Sequence, residues 1–280
     1  MAKQIRTVNI RPGVSVLSVL QHLNYRAWFA LAEFVDNSLQ SYLTSRAQLE
    51  AAEGGDFKLK VSIDIDAAAP ARIVIRDNAG GIAQQDFPRA FRPAEIPPDA
   101  TGLSEFGMGM KSAACWFGRR WHVRTSALGE PFESVVRFDI DSIVANHIDE
   151  LNVETTPCPA NQHFTEVVLE ELHANIAPRT LGKIREHLRD IYRCYLRSGT
   201  LSLKVNGAQL SYQEPEVLVA PYYREMTSSP VRWRKEIDLD LGGGQIARGF
   251  AALRSEGKGA EAGFALFRRN RLIHHSREWR

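Results

Sequence analysis

The chain has 280 residues, 44% hydrophobic and 24% charged, a globular composition with room for one large or two ordinary domains. Thirty-five basic against 33 acidic residues leave a formal charge of +2, so net charge argues for neither a strongly acidic nor a strongly basic partner. Cys115, Cys158 and Cys194 are odd in number and widely spaced, and the eight histidines lack an H-x-x-x-H spacing, which points away from a disulfide framework and a metal cluster. The polar start has no signal-peptide core and no apolar run approaches the ~18 residues of a membrane helix, so the expectation is a cytoplasmic protein, nuclear in a eukaryote, with no membrane partner.

Trp28, Leu31, Val35, Leu39 and Tyr42 recur at three- and four-residue steps and predict a helix from about Ala27 to Tyr42. Alternation at Leu59, Val61, Ile63 and Ile65 predicts a strand, and Arg72 to Arg76 a second one ending at Asp77. Residues 83–105 hold four prolines and little periodicity, a length that favours a functional loop. A helix opens at the glycines of residues 107–112 and runs to about Phe117. Further strands are expected over 121–126, 134–140 and 163–169. The texture changes near residue 174, where Leu181, Ile184, Leu188, Ile191 and Tyr195 form an amphipathic helix. Strands are then expected at 201–205, 209–212, 231–241, 245–253 and 263–273, with an Asn206-Gly207 turn after the first. The domain boundary is placed there, giving 1–173 and 174–280.

Three separated segments carry chemistry. Glu33 and Asn37 are four residues apart on one helix and lie about 200° from Val35 and Leu39, away from the apolar stripe. An amide oxygen at Asn37 suits a magnesium ion that already carries phosphate oxygens, and a carboxylate one turn earlier suits deprotonation of a water. Taken alone, E-x-x-x-N reads better as a solvated helix face. Asp77 ends a strand, where its carboxylate can accept from an exocyclic amine such as that of adenine. Gly80 and Gly81 let a planar ring approach the backbone, with Ile82 packing against it. Alone this is a simple turn. Gly107, Met108 and Gly109 before a helix offer backbone N–H groups to phosphates, and Lys111 adds a charge. Met110 before Lys111 excludes a P-loop, and Ser112 excludes a dinucleotide fingerprint.

In this order the segments resemble the N-box and the two glycine boxes of the GHKL ATPase superfamily, which includes gyrase B, MutL, the ninety-kilodalton heat-shock chaperones and histidine-kinase catalytic domains. The resemblance implies a two-layer α/β sandwich of the Bergerat type followed by a smaller transducer-like α/β domain. It implies Glu33 as the catalytic base and Asn37 as the magnesium ligand. Asp77, Gly81 and Ile82 would form the adenine site, supported by Thr165. Gly107, Met108, Gly109 and Lys111 would hold the phosphates, and residues 83–105 would be the lid. Within the group the chain looks most like the MORC ATPases, through Glu33-Phe-Val-Asp-Asn37, Gly109-Met-Lys-Ser112 and the stretch from Phe264 to Ile273. That likeness implies an ATP- and magnesium-dependent homodimeric clamp or switch acting on DNA or a protein client. Residues 1–20, with Val14, Val16, Leu17, Val19 and Leu20, are the candidate dimer arm. A non-hydrolysing nucleotide sensor and a histidine-kinase-type phosphotransferase are the alternatives.

Several positions depart from the family pattern. Ala79 and Ser104 stand where glycines are usual, Phe164 where a glycine commonly precedes the threonine, and Gln40 where an acidic residue often follows the asparagine. The transducer lysine of such proteins has no counterpart before the chain ends at Arg280, seven residues past Ile273; Lys258 is a poor substitute by position. The expectation is slow hydrolysis, from a fragment or from a form whose partner supplies that residue.

Overall fold

Alternating apolar and polar side chains build a large sheet with one apolar face and one mainly charged face. The computed structural model describes residues 13–93, 95, 107–257, 259 and 262–275, in two compact units: Met1–Ser211 with Arg269–Arg271, and Tyr212–Arg268 with Leu272–Arg280. The first unit contains α1 (Val16–Val19), α2 (Ala27–Glu53), β1 (Leu59–Asp66), β2 (Arg72–Asp77) and α3 (Phe87–Phe91). It continues through α4 (Gly109–Phe117), β3 (Gly118–Ser126), β4 (Phe132–Asp139), α5 (Ile140–Ala145), β5 (Val153–Pro157) and β6 (Phe164–Leu172). Helices α6 (Pro178–Ile191) and α7 (Arg193–Arg197) and strands β7 (Leu201–Val205) and β8 (Ala208–Gln209) complete it.

The eight strands run in the order β5-β4-β3-β6-β2-β1-β7-β8. Neighbours are antiparallel except β1 and β7, which pair in parallel with Leu59 opposite Leu201 and Ile63 opposite Val205. One face presents Leu59, Val61, Ile73, Val123, Leu169 and Leu203 to the helices, all of them buried. The other face carries pairs of opposite charge around Phe164. Arg76 meets Glu166 at 3.1 Å and Arg124 meets Glu133 at 2.8 Å. Both guanidinium groups also lie over the ring of Phe164, at 4.5 and 4.9 Å.

The first unit runs on past the expected boundary at 174 to Ser211. Ile184, Leu188, Ile191 and Tyr192 are buried in the same core as α2, and β7 extends the same sheet. The change of texture at 174 follows β6, the last of the six mutually antiparallel strands β1–β6, while the core continues. Leu17 and Leu20 of the candidate dimer arm are buried in this core too, and Val14 and Val16 pack against it; Val19 is exposed. Residues 1–12 of that arm lie outside the described residues.

The second unit contains β9 (Val219–Ala220) paired with β10 (Val231–Arg232), and β11 (Arg234–Gly242) paired with β12 (Gln245–Ala252). The single strand expected over 263–273 is a hairpin, β13 (Ala265–Arg268) and β14 (Arg271–His275). Its turn residues Arg269 and Asn270 have φ of 52° and 62°, which no straight strand permits. Among the described residues no helix is long and apolar enough to cross a membrane.

Candidate functional site

Between Ala30 and Leu39 every residue of α2 is buried except Glu33 and Asn37, which are partly open. A solvated face would leave a broad polar stripe. Here two polar residues one turn apart interrupt a stretch of helix otherwise enclosed. Glu33 faces the glycine segment directly: a Cβ on Gly109 would fall 2.1 Å from its Oε2. The absence of a side chain at Gly109 is therefore what admits the carboxylate. Burial pushes the Glu33 carboxyl up to about 7, with a further rise from the Asp36 carboxylate and an opposing pull from Arg271.

Asp36 lies one turn from Glu33 and is almost completely buried. Its oxygens accept from Nε of Arg271 at 2.9 and 2.7 Å, and the Tyr192 hydroxyl lies 2.8 Å from Oδ1. Burial raises its pKa and Arg271 opposes the rise.

Asp77 closes β2 opposite Thr165 of β6. Its Oδ2 accepts from the Ser38 hydroxyl at 2.6 Å, and its Oδ1 accepts from the N–H groups of Ala79 at 2.9 Å and Thr165 at 3.2 Å. Burial raises the pKa of this carboxyl, and those hydrogen bonds with the nearby His163 oppose the rise. Thr125 on β3 extends the arrangement. Its hydroxyl oxygen accepts from the N–H of Ile82 at 2.9 Å, donates to the Phe164 carbonyl at 2.9 Å, and stands 3.5 Å from Oγ1 of Thr165. Ser38 and Thr125 escaped the sequence reading. Ser38 follows Asn37 directly, yet nothing in one sequence tells that it meets Asp77; Thr125 is brought in only by strand register.

Gly81 has φ +73°, and a Cβ there would lie 2.0 Å from the Ser126 carbonyl oxygen. Gly81→Ala is expected to cost more than the roughly 1–2 kcal/mol of left-handed backbone strain alone, because the clash is with main chain. A denaturation midpoint equal to wild type counts against this. Gly107 is similar, with φ +61° and the Glu95 carbonyl oxygen 1.9 Å from a built Cβ. Ala79 is buried and is not among the residues of positive φ, so its methyl fits where a glycine is usual. Phe164 faces the charged side of the sheet, away from Asp77 and Thr165, which is how a large ring is tolerated there.

Lys111 points toward the end of α3. Its ammonium donates to the carbonyls of Arg89 at 3.3 Å and Ala90 at 3.0 Å, in the last turn of α3, where carbonyls lack helical partners. Burial lowers its pKa to about 8, with Arg89 adding to the fall and Glu95 opposing it. Of the expected lid, residues 83–93 and 95 are described, with α3 among them; Ser104 lies outside the described residues, as do Lys258 and Arg280.

Helices over one face of a mostly antiparallel sheet are the architecture of a GHKL-type ATPase domain. Residues 25–172, more than half of the chain, match the family described as histidine kinase-, DNA gyrase B- and HSP90-like ATPase, and the chain belongs to that family. Among solved structures, the ATPase region of Saccharomyces cerevisiae topoisomerase II is similar at 13% identity and a TM-score of 0.49. The match covers 66% of this chain and 49% of that one, so the chain spans about half the length of that relative. No curated protein matches the sequence.

Proposed function

We propose that the chain binds Mg-ATP and hydrolyses it slowly, and that nucleotide binding drives lid closure and homodimerisation of a MORC-like clamp or switch on DNA or a protein client. The observation that carries this is the approach of the Glu33 carboxylate to Gly109, which joins the helix pair and the glycine segment in one place. Asp77, fixed as an acceptor by three donors, supplies the base-reading end. Glu33 is the base that takes the proton of the attacking water. Gly107, Met108 and Gly109 line the phosphates at the start of α4.

Asn37 would hold magnesium through its amide oxygen. Asn37 is partly open and one turn from Glu33 on α2, which suits an ion bound chiefly by substrate oxygens and water. Bound there, magnesium would offset charge on the phosphates. Asn37→Ala is expected to lose Mg-ATP binding in titration calorimetry; unchanged affinity sinks the metal assignment. Gel filtration with a non-hydrolysable ATP analogue tests dimerisation, and a monomer with and without nucleotide rejects it.

A second reading, a nucleotide sensor without turnover, draws on the half-protonated base near neutral pH and on Lys111 being engaged with α3. Equal phosphate release from wild type and Glu33→Ala would favour it. Transfer of phosphate to a histidine, with none released, would favour the kinase-type alternative.

A further inference from the structure

We propose that His163 fixes base selectivity at this nucleotide site, by holding the backbone of Asn78 and Ala79 so that Asp77 and Gly81 meet the base in register. The inference rests on the ATP reading above and concerns a residue outside the family's motifs. His163 lies one residue before β6, and its side chain is only 5% exposed. Nδ1 stands 3.1 Å from the Asn78 carbonyl oxygen and 2.9 Å from that of Ala79. Carbonyl oxygens only accept, so Nδ1 carries the hydrogen and shares it between them. Nε2 faces Oε1 of Glu53, the last residue of α2, at 3.1 Å, and the ring packs against Phe57 at 5.9 Å between centroids.

One buried imidazole thus joins the end of α2, the turn after β2 and the entry to β6. The turn it holds contains Gly80 and Gly81. Two residues along β6, the Thr165 N–H orients Asp77. Both the carboxylate and the glycine backbone are therefore referred to the same ring. Asp77 as an acceptor matches the amino group of adenine and opposes the carbonyl that guanine presents at the same edge. A site of buried polar groups rejects such a mismatch strongly only when those groups cannot shift to escape it.

The experiment compares His163→Asn, whose amide N–H replaces Nδ1, with His163→Gln, whose amide N–H replaces Nε2. Binding of Mg-ATP, Mg-GTP and Mg-tripolyphosphate is measured on the full chain by calorimetry. The expected result is an ATP:GTP affinity ratio that falls about ten-fold in H163Q, the worth of one hydrogen bond, and stays near wild type in H163N. Tripolyphosphate binding should be the same in all three proteins. Unchanged ratios in both variants overturn the proposal, and so does a parallel loss of all three ligands, which marks general destabilisation. A wild type that binds ATP and GTP equally also overturns it while leaving the phosphate site standing. A wild type that binds none of the three removes the ATP reading itself.

Discussion

Glu33→Gln is expected to reduce ATP turnover by about 10²–10⁴-fold, the range for loss of a general base, with Mg-ATP affinity retained. The amide keeps the shape of the carboxylate beside Gly109 and can take no proton. The pH dependence gives an independent check. A base works only when deprotonated, and burial has pushed this carboxyl up to about 7. In wild type, kcat/KM should therefore fall as pH drops through about 7 and level off above it. No such limb should remain in the residual activity of Glu33→Gln. Phosphate release measured across that range decides. A flat wild-type profile, or a Glu33→Gln protein with wild-type turnover, rules out Glu33 as the base.

Arg271→Met should produce the largest loss of stability, about 3–5 kcal/mol, the usual cost of removing one partner from a buried ion pair. The side chain of Asp36 is 7% exposed and that of Arg271 20% exposed, so little water is at hand to replace the guanidinium. Tyr192 alone would remain among the side chains seen to meet Asp36. The double substitution Asp36→Asn with Arg271→Met removes the stranded charge and should recover most of the loss in a denaturant titration. Additive losses would show that the pair does not interact energetically. The same substitution has a sign for catalysis. Arg271 lowers the Glu33 pKa while Asp36 raises it. Its removal should move the acid limb of kcat/KM to higher pH, and a shift to lower pH would contradict the electrostatic arrangement.

Much of the site is legible in the sequence because its parts are local. Glu33 and Asn37 share a helix face by simple periodicity, and Asp77 is marked by the end of a strand and the glycines after it. What periodicity could not tell is that the other residues between Ala30 and Leu39 are buried, which leaves Glu33 and Asn37 as the open part of that stretch. Ser38 comes to Asp77 through the packing of α2 on the sheet, Thr125 through strand register and His163 through its contact with the end of α2, and none of these leaves a trace in one sequence. Lys111 shows the same limit. Its place in the glycine segment was readable, whereas its engagement with the Arg89 and Ala90 carbonyls depends on where α3 ends. The hairpin at 269–270 was missed because Arg269 and Asn270 lack the glycine that usually announces such a turn.

The parallel pairing of β1 with β7 sets an order of events during synthesis. β1 is made early, and its partner Leu201–Val205 leaves the ribosome only after more than a hundred further residues. Until then that strand's N–H and C=O groups stand open beside Leu59, Val61 and Ile63, a surface suited to pairing with another nascent chain. Closing so long a loop also slows folding relative to local pairings such as the β1–β2 and β3–β4 hairpins. A chain cut after residue 173 would keep every segment of the proposed nucleotide site and yet carry that open edge permanently. It should aggregate where the longer chain does not. The smallest piece that can be handled as a folded protein is therefore larger than the smallest piece that holds the chemistry.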